Sequence, residues 1–372
     1  MLRAVLRPLS RFARISGAHV RGLRALAAGQ APTGTPSVWY GLYHVPSPSE
    51  PAVGGIVKLQ HLVRRFPDES IRFNVLYLIS SRLPDGPEAL ATWARRKGAK
   101  IVLNQNGVAY PAWHGPGWER VNRPMSALLA MADHVFYQSE FCRESADRFA
   151  RPAAGPHEVL YNPVDTARFV PRERSRSNPS VTLLLGGSPD AWYRVDSAIR
   201  TLGALVNRGT DARLLITGRL RWMADPRACR AQAETLLDDF GLRERVEFLG
   251  AYTQEQAPAI YQRADVLLHT KYNDPCPTVV IEALSSGLPV AYSASGGVPE
   301  LVGAEAGVGA PVARSWEKDI PVDPAALADA VETILGSHVR MSAAARQRAV
   351  DRFDTRHWLA RHADVFEQLV VA

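Results

Sequence analysis

The chain has 372 residues, 46% of them hydrophobic and 22% charged, and carries a formal net charge of +7. That balance is ordinary for a globular protein long enough to hold two domains, and no apolar run approaches the ~20 residues needed to span a bilayer. Cys142, Cys229 and Cys276 are widely spaced and form no Cys-x-x-Cys pair, which argues against a disulfide framework or a zinc site and for a reducing cytoplasm.

The charge is concentrated at the start. Arg3, Arg7, Arg11, Arg14, Arg21 and Arg24 fall within the first 30 residues, which contain no acidic residue and no lysine. They account for all but one of the seven net positive charges, so the body is nearly neutral, which argues against a nucleic-acid-binding surface. At ~100° per residue, Leu2, Val5, Leu6, Leu9, Phe12 and Ile15 share one side of a helix, with Arg3, Arg7, Arg11 and Arg14 opposite. Residues 1–36 therefore read as a basic amphipathic or disordered tail. Three uses fit: a helix lying on an anionic membrane surface, a targeting segment of the same composition, or an irregular start. Pro8 opposes the helix, at a cost of ~3 kcal/mol.

After a Pro/Gly-rich joint at Gly29 to Ser37, β-rich runs alternate with helical segments. Strands are expected at 38–44, 73–79, 100–105, 134–139 and 158–161, with helices beginning at Gly55, Pro87, Glu119 and Glu140. This alternation defines a first domain over 37–168. Residues 169–180, charged and proline-bearing, read as a linker. The pattern restarts over 181–350, with strands at 181–186, 213–218, 245–250, 265–270, 288–293 and 308–312. Helices are expected near 195–208, 226–240, 254–263, 278–286 and 324–336. Trp358, Leu359, His362, Phe366 and Leu369 then mark a closing helix within 351–372. The fold class is α/β: two doubly wound, Rossmann-like parallel-sheet domains, with ligands expected at the carboxyl ends of the strands in a central cleft.

The stretch from Tyr272 to Gly303 carries the chemistry. Asp274 and Glu282 bracket a proline-marked helix start, Pro275-Cys276-Pro277-Thr278, and Gly287 stops the helix. The first amides of a helix lack intrahelical acceptors and lie at the positive end of its dipole, so such a start can hold a phosphate. Carboxylates on either side can accept hydrogen bonds from vicinal hydroxyls. That combination suits a nucleotide sugar.

Asp274, Glu282, Ala283, Gly287, Pro289 and Val290 resemble the signature of the retaining family-4 glycosyltransferases (glycosyl transferases group 1) of the GT-B superfamily. The resemblance spans roughly 38–368 and is specific in the second domain. It implies that Glu282 accepts from the nucleotide ribose, that the first acid contacts the donor sugar, and that the turn at Pro277, Thr278 and Val279 lies near the phosphates. Departures are visible. The family's first acid is typically Glu, and Asp274 is ~1.5 Å shorter; a Pro-Cys-Pro turn replaces the usual glycine-rich spacer.

Further positions follow the same resemblance. Gly54 and Gly55 match the family's N-terminal glycine loop. Ala132-Asp133-His134-Val135 and Tyr161-Asn162-Pro163-Val164-Asp165 match two segments ahead of the linker, read as shaping the fold. Where the family supplies an Arg and a Lys to the leaving diphosphate, this chain has Gly187 and Tyr193, so Arg194 is the expected clamp, supplemented by Arg219 and Lys271. Tyr252 falls at the base-binding turn. Many relatives end a first-domain strand with His; here Asn106 is the nearest polar substitute and His114 an alternative on the acceptor side.

No general base is assigned. The resemblance implies one of two mechanisms proposed for the family: the departing phosphate takes the acceptor proton on the same face, or a carboxylate forms a covalent intermediate. The chain lacks an Asp-x-Asp, a His-Glu-x-x-His, a Cys/His cluster, a Gly-x-Gly-x-x-Gly loop and a Gly-Lys-Ser/Thr loop, so neither a metal nor a cofactor is expected. The expected partners are a nucleotide-sugar donor, a glycan or lipid-linked acceptor and an anionic membrane surface met by residues 1–30, in a cytoplasmic or peripheral setting. A non-catalytic nucleotide-sugar binder and a GT-B epimerase are the alternatives.

Overall fold

The computed structural model describes residues 34–42, 44–47, 50, 54–172 and 180–371. The basic tail over 1–33 and most of the linker, 173–179, lie outside them. The chain forms two compact units: the first ends at Tyr161 and takes back the segment from Arg356 onward, and the second is Asn162–Thr355.

The first unit contains β1 (Val38–Trp39), α1 (Gly54–Arg65), β2 (Val75–Ile79), α2 (Pro87–Arg96), β3 (Lys100–Gln105), α3 (Pro111–His114), α4 (Trp118–Met131), β4 (His134–Tyr137), α5 (Glu140–Phe149) and β5 (His157–Val159). Its strands are parallel and lie in chain order, β1-β2-β3-β4-β5. Successive side chains point to opposite faces of a strand, so each strand feeds two cores. Val75, Tyr77, Val102 and Phe136 meet Leu59 and Leu62 of α1 on one face, together with Trp358 and Phe366 of the closing helix (Thr355–Val371). Leu76, Leu78, Ile101, Leu103 and Val135 meet Leu90, Ala94 and Leu128 on the other.

One polar link sits inside the first of these cores. His362 places Nδ1 2.8 Å from the Trp358 carbonyl, so Nδ1 carries the proton and Nε2 accepts from the Tyr77 hydroxyl at 2.9 Å. Burial pushes this imidazole down to about 3, and it stays neutral.

The second unit contains β6 (Val181–Leu185), α6 (Trp192–Asn207), β7 (Ala212–Thr217), α7 (Pro226–Asp239), β8 (Val246–Gly250), α8 (Ala257–Tyr261), β9 (Val266–His269), α9 (Thr278–Ser285), β10 (Val290–Ser293), α10 (Val298–Val302), β11 (Gly307–Ala310), α11 (Pro324–Gly336) and α12 (His338–Arg352). Asp225 and Asp323 cap α7 and α11 by accepting from the amides of Arg227 and Ala325, with Pro226 and Pro324 in the first turn. The strand order is β11-β10-β9-β6-β7-β8. From β6 the chain winds one way through β7 and β8; from β9 it winds the other way through β10 and β11. The reversal lies between β6 and β9.

The structure redraws several expected boundaries. The first strand spans only Val38–Trp39, because the chain bends at Gly41, where φ is +68°. The helix expected at 254–263 shortens to Ala257–Tyr261, and α3, α10 and α12 were not anticipated. The segment 162–168, assigned to the first domain, belongs to the second unit. Val164 bridges Asp354, with the Val164 amide donating to Phe353 O at 2.8 Å and the Thr355 amide to Val164 O at 3.0 Å.

Both units start a strand with the same device, an Ala-Asp pair. The Ile101 amide donates to Asp133 Oδ2 at 2.7 Å while the Asp133 amide donates to Ile101 O at 2.8 Å. In the second unit the Thr182 amide donates to Asp265 Oδ2, and the Asp265 amide to Thr182 O, both at 2.8 Å. Each aspartate thus completes the edge of a ladder that no backbone carbonyl reaches. Asp133→Ala should lower the unfolding free energy by about 1–3 kcal/mol in urea titration, and Asp265→Ala by more, since Asp265 also pairs with Arg172. Asp133→Asn keeps an acceptor and should lose less than half as much; equal losses from Ala and Asn would show that the charge matters and the strand bond does not.

Candidate functional site

The loops that follow β6, β7 and β8 are tied together at the carboxyl ends of their strands. β6 runs into Gly186-Gly187-Ser188-Pro189-Asp190-Ala191 before α6. Gly218, with φ at +80°, passes so close to the Gly187 carbonyl that no Cβ fits between them. The Arg219 amide donates to Ser188 Oγ at 3.1 Å, and the Gly218 amide to Gly250 O at 2.7 Å. A Cβ on Gly186 or Gly187 would stand 3.5 Å from Val279, so this loop lies against the first turn of α9.

The turn from β9 into α9 is fixed with similar closeness. The Thr270 hydroxyl donates to Arg194 O at 2.9 Å and the Tyr272 amide to the Tyr193 hydroxyl oxygen at 3.1 Å. Asn273 is the one non-glycine with positive φ (+48°) among the described residues, a conformation that asparagine tolerates. Its amide donates to Ser295 Oγ at 2.9 Å and its Nδ2 to Ser315 O at 3.0 Å. Gly296 lies against the Asn273–Asp274 backbone with no room for a Cβ, and the Gly297 amide donates to Asp274 O at 2.9 Å. Pro277 then occupies the N-cap, and α9 begins at Thr278. Pro277 has no amide hydrogen, so the amides that open the helix are those of Thr278 and Val279.

The two carboxylates on either side of that start are conditioned in opposite directions. Asp274 is partly buried, which alone would raise its pKa. Lys271, His269 and Arg194 outweigh that burial and hold the carboxyl far below the usual range, so it is ionised. Lys271 Nζ lies 3.7 Å from Oδ1 and His269 Nε2 3.3 Å from Oδ2. The second contact is not aligned as a hydrogen bond, and burial keeps His269 neutral, so it acts on Asp274 as a nearby dipole. Glu282, one turn into α9 and 4% exposed, is pushed up to about 7. Burial is the cause, only partly offset by hydrogen bonds from Tyr261 and Gln254 and by the charge of Arg168. The Tyr261 hydroxyl donates to Glu282 Oε2 at 2.7 Å.

The cations expected here take different positions. Arg194 is 5% exposed, and its Nη1 donates to Asp190 Oδ1 at 2.8 Å and Ser188 O at 3.2 Å, so its guanidinium braces its own loop. Arg219 is exposed and Lys271 about a quarter exposed, both at strand ends of the same sheet. The Tyr252 hydroxyl turns inward toward Thr217, Gly187 and Tyr261, and burial raises its pKa. In the first unit, Gly54 opens α1, and Gly55 packs against Ser81, whose hydroxyl a Cβ there would displace. Asn106 follows β3 with its amide donating to Ser80 Oγ at 2.8 Å, and His114 is exposed at the end of α3. Among the described residues no group of three His, Cys, Asp or Glu is placed to hold a metal, and no helix is long and apolar enough to cross a membrane.

His269, Tyr261 and Gln254 escaped the sequence reading. His269 could have been noticed as the last residue of a strand entering the motif. Nothing in the sequence joins Tyr261 to Glu282, which lies 21 residues further on.

Residues 180–337 match the family described as glycosyl transferases group 1. A GDP-mannose-dependent alpha-(1-6)-phosphatidylinositol monomannoside mannosyltransferase of Mycolicibacterium smegmatis is 30% identical over 240 residues, covering 57% of each chain. A D-inositol 3-phosphate glycosyltransferase of Corynebacterium glutamicum is 26% identical over 229 residues, covering 59% of this chain and 50% of that one. The chain spans about half the length of the curated relatives it matches. Among solved structures, Anabaena HepE in complex with UDP superposes with a TM-score of 0.63 at 18% identity, covering 80% of this chain and 79% of that one. Sucrose-phosphate synthase from Thermosynechococcus elongatus gives 0.60 at 21% identity, covering 80% and 74%. With its two parallel-sheet units the chain has the GT-B fold, and its match to glycosyl transferases group 1 covers the part of the second unit that carries Asp274 and Glu282.

Proposed function

We propose that this protein transfers a sugar from a nucleotide-diphosphate donor to an acceptor hydroxyl with retention at the anomeric carbon and without a metal ion. The observation that carries this reading is the pair of oppositely conditioned carboxylates around the start of α9, at the strand-order reversal where open α/β sheets bind ligands. Glu282 accepts from the ribose hydroxyls. The amides of Thr278 and Val279 and the Gly187 loop receive the diphosphate, with Lys271 and Arg219 as its cations. Asp274, held ionised by Lys271, orients the donor sugar and faces the charge that develops as the leaving group departs.

Curated relatives that use GDP-mannose and a structural neighbour solved with UDP suggest GDP or UDP as the nucleotide. The phosphatidylinositol-linked relatives favour a lipid-linked or glycan acceptor at a membrane surface. Deleting residues 2–30 should then abolish cosedimentation with anionic liposomes while soluble acceptors are still glycosylated; undiminished binding would remove the tail from the account.

A screen of nucleotide sugars in EDTA should find one that raises the melting temperature. At a hundred times its dissociation constant a ligand adds about 2.7 kcal/mol. Glu282→Ala should abolish that shift and the transferase activity while leaving a folded protein. Product analysis separates the alternatives: binding without turnover marks a non-catalytic binder, and an altered donor with no acceptor product marks an epimerase.

The pH dependence has a definite sign. Ligand-free Glu282 holds its proton to about pH 7, whereas ribose hydroxyls that donate to it favour the ionised form. Binding therefore releases a proton below that pH, and affinity should rise about tenfold between pH 6 and 8 and flatten in Glu282→Gln. Without ligand the slope reverses. A pKa raised from 4.5 to about 7 means that the folded state holds the proton more tightly. The stability this provides is complete below about pH 4.5 and is lost as the pH climbs to 7. Calorimetry across that range checks both slopes.

A further inference from the structure

The segment Tyr161-Asn162-Pro163-Val164-Asp165 entered as a motif that shapes the fold. In the structure one of its side chains reaches the site. Asn162 is 6% exposed, and its Nδ2 donates to the carbonyl of Cys276 at 2.9 Å across 114 residues of sequence. Cys276 sits between two prolines, neither of which has an amide hydrogen to donate. The backbone bonds of α9 begin only with the Val280 amide on Pro277 O, at 3.1 Å. The directions of the Thr278 and Val279 amides therefore follow the orientation of the Pro-Cys-Pro turn.

We propose that Asn162 is a positioning residue for the diphosphate end of the site, holding the 275–277 turn so that the opening amides of α9 face the ligand; this rests on the function proposed above. The rest of its segment is anchored elsewhere. Ser285 Oγ donates to Phe169 O at 2.8 Å at the far end of α9, and Arg346 Nη1 donates to Phe169 O at 2.8 Å and Ser285 O at 2.9 Å. Val164 is paired with the chain at Phe353 and Thr355. Loss of the Asn162 bond should thus loosen the turn without releasing the segment.

The test compares wild type, Asn162→Ala and Asn162→Asp, the last nearly isosteric but with a carboxylate in place of the donor. Binding of UDP, GDP, uridine and guanosine is measured by titration. Both variants should bind the preferred diphosphate about tenfold more weakly and the matching nucleoside within about twofold of wild type, because Glu282 is untouched. A second readout needs no ligand: Cys276, a residue 6% exposed in the native protein, should react at least tenfold faster with a thiol reagent in both variants, located by mass spectrometry. Equal losses on nucleotide and nucleoside, or an unchanged ratio with an unchanged thiol rate, would overturn the assignment alone. A wild-type protein that binds none of the four ligands would overturn the proposed function and this assignment with it.

Discussion

The site depends on one topological constraint: β6 and β9 lie side by side while the chain leaves them in opposite directions. Their connections diverge to either side, so nothing crosses the sheet between their carboxyl ends. The loop after β6 and the turn after β9 face each other across that gap. Glycine at 218 and 296 lets neighbouring backbone close in from both sides. Among the described strands of the first unit no such reversal exists, since β1 to β5 follow chain order.

Position then decides electrostatics. Asp274 and Glu282 are only eight residues apart, yet the turn puts Lys271, His269 and Arg194 around the first, while α9 carries the second against Tyr261. Burial penalises charge at both, but a cation 3.7 Å away offsets it at Asp274 and a phenol hydrogen bond offsets it less at Glu282. A neutral His269 contributes little beyond its dipole, which leaves Lys271 as the main reason Asp274 stays ionised.

What the sequence reveals follows from how local each cause is. The strand–helix alternation, the Asp-Pro helix starts at 225–226 and 323–324, and the Asp274–Glu282 segment depend on neighbours a few residues away, and all are legible. The inward turn of the Tyr252 hydroxyl, the bond from Asn162 to Cys276 and the bracing of Arg194 by Asp190 are set by tertiary packing and leave no local trace. The domain boundary shifted for the same reason. Apolar periodicity cannot report that Val164 pairs with the chain at 354, or that Trp358 and Phe366 fill the core of the first unit. The α12 helix leaves little trace in the sequence because its buried face is Met341, Ala345 and Ala349, too small to give a strong apolar stripe.

The cations show why a residue type at the right position is a weaker guide than its partners. Tyr193 stands where a lysine was expected, and its hydroxyl oxygen accepts the amide of Tyr272, fastening the turn that carries Lys271. Arg194 is cationic and close by, but a phosphate would have to compete with an aspartate at 2.8 Å for a guanidinium that is nearly inaccessible. Lys271 shares only a looser contact at 3.7 Å and keeps its head partly in solvent, so turning toward a ligand costs it less. Burial raises the pKa of Asp319 and works against the lowering at Asp190, and at both the Lys271 charge is the leading counterweight, which places it among the local acids. Arg194 thus braces its own loop, and Lys271 with Arg219 are the cations proposed for the ligand. The turn that follows β9 carries both the acid, Asp274, and the cation that faces it, Lys271.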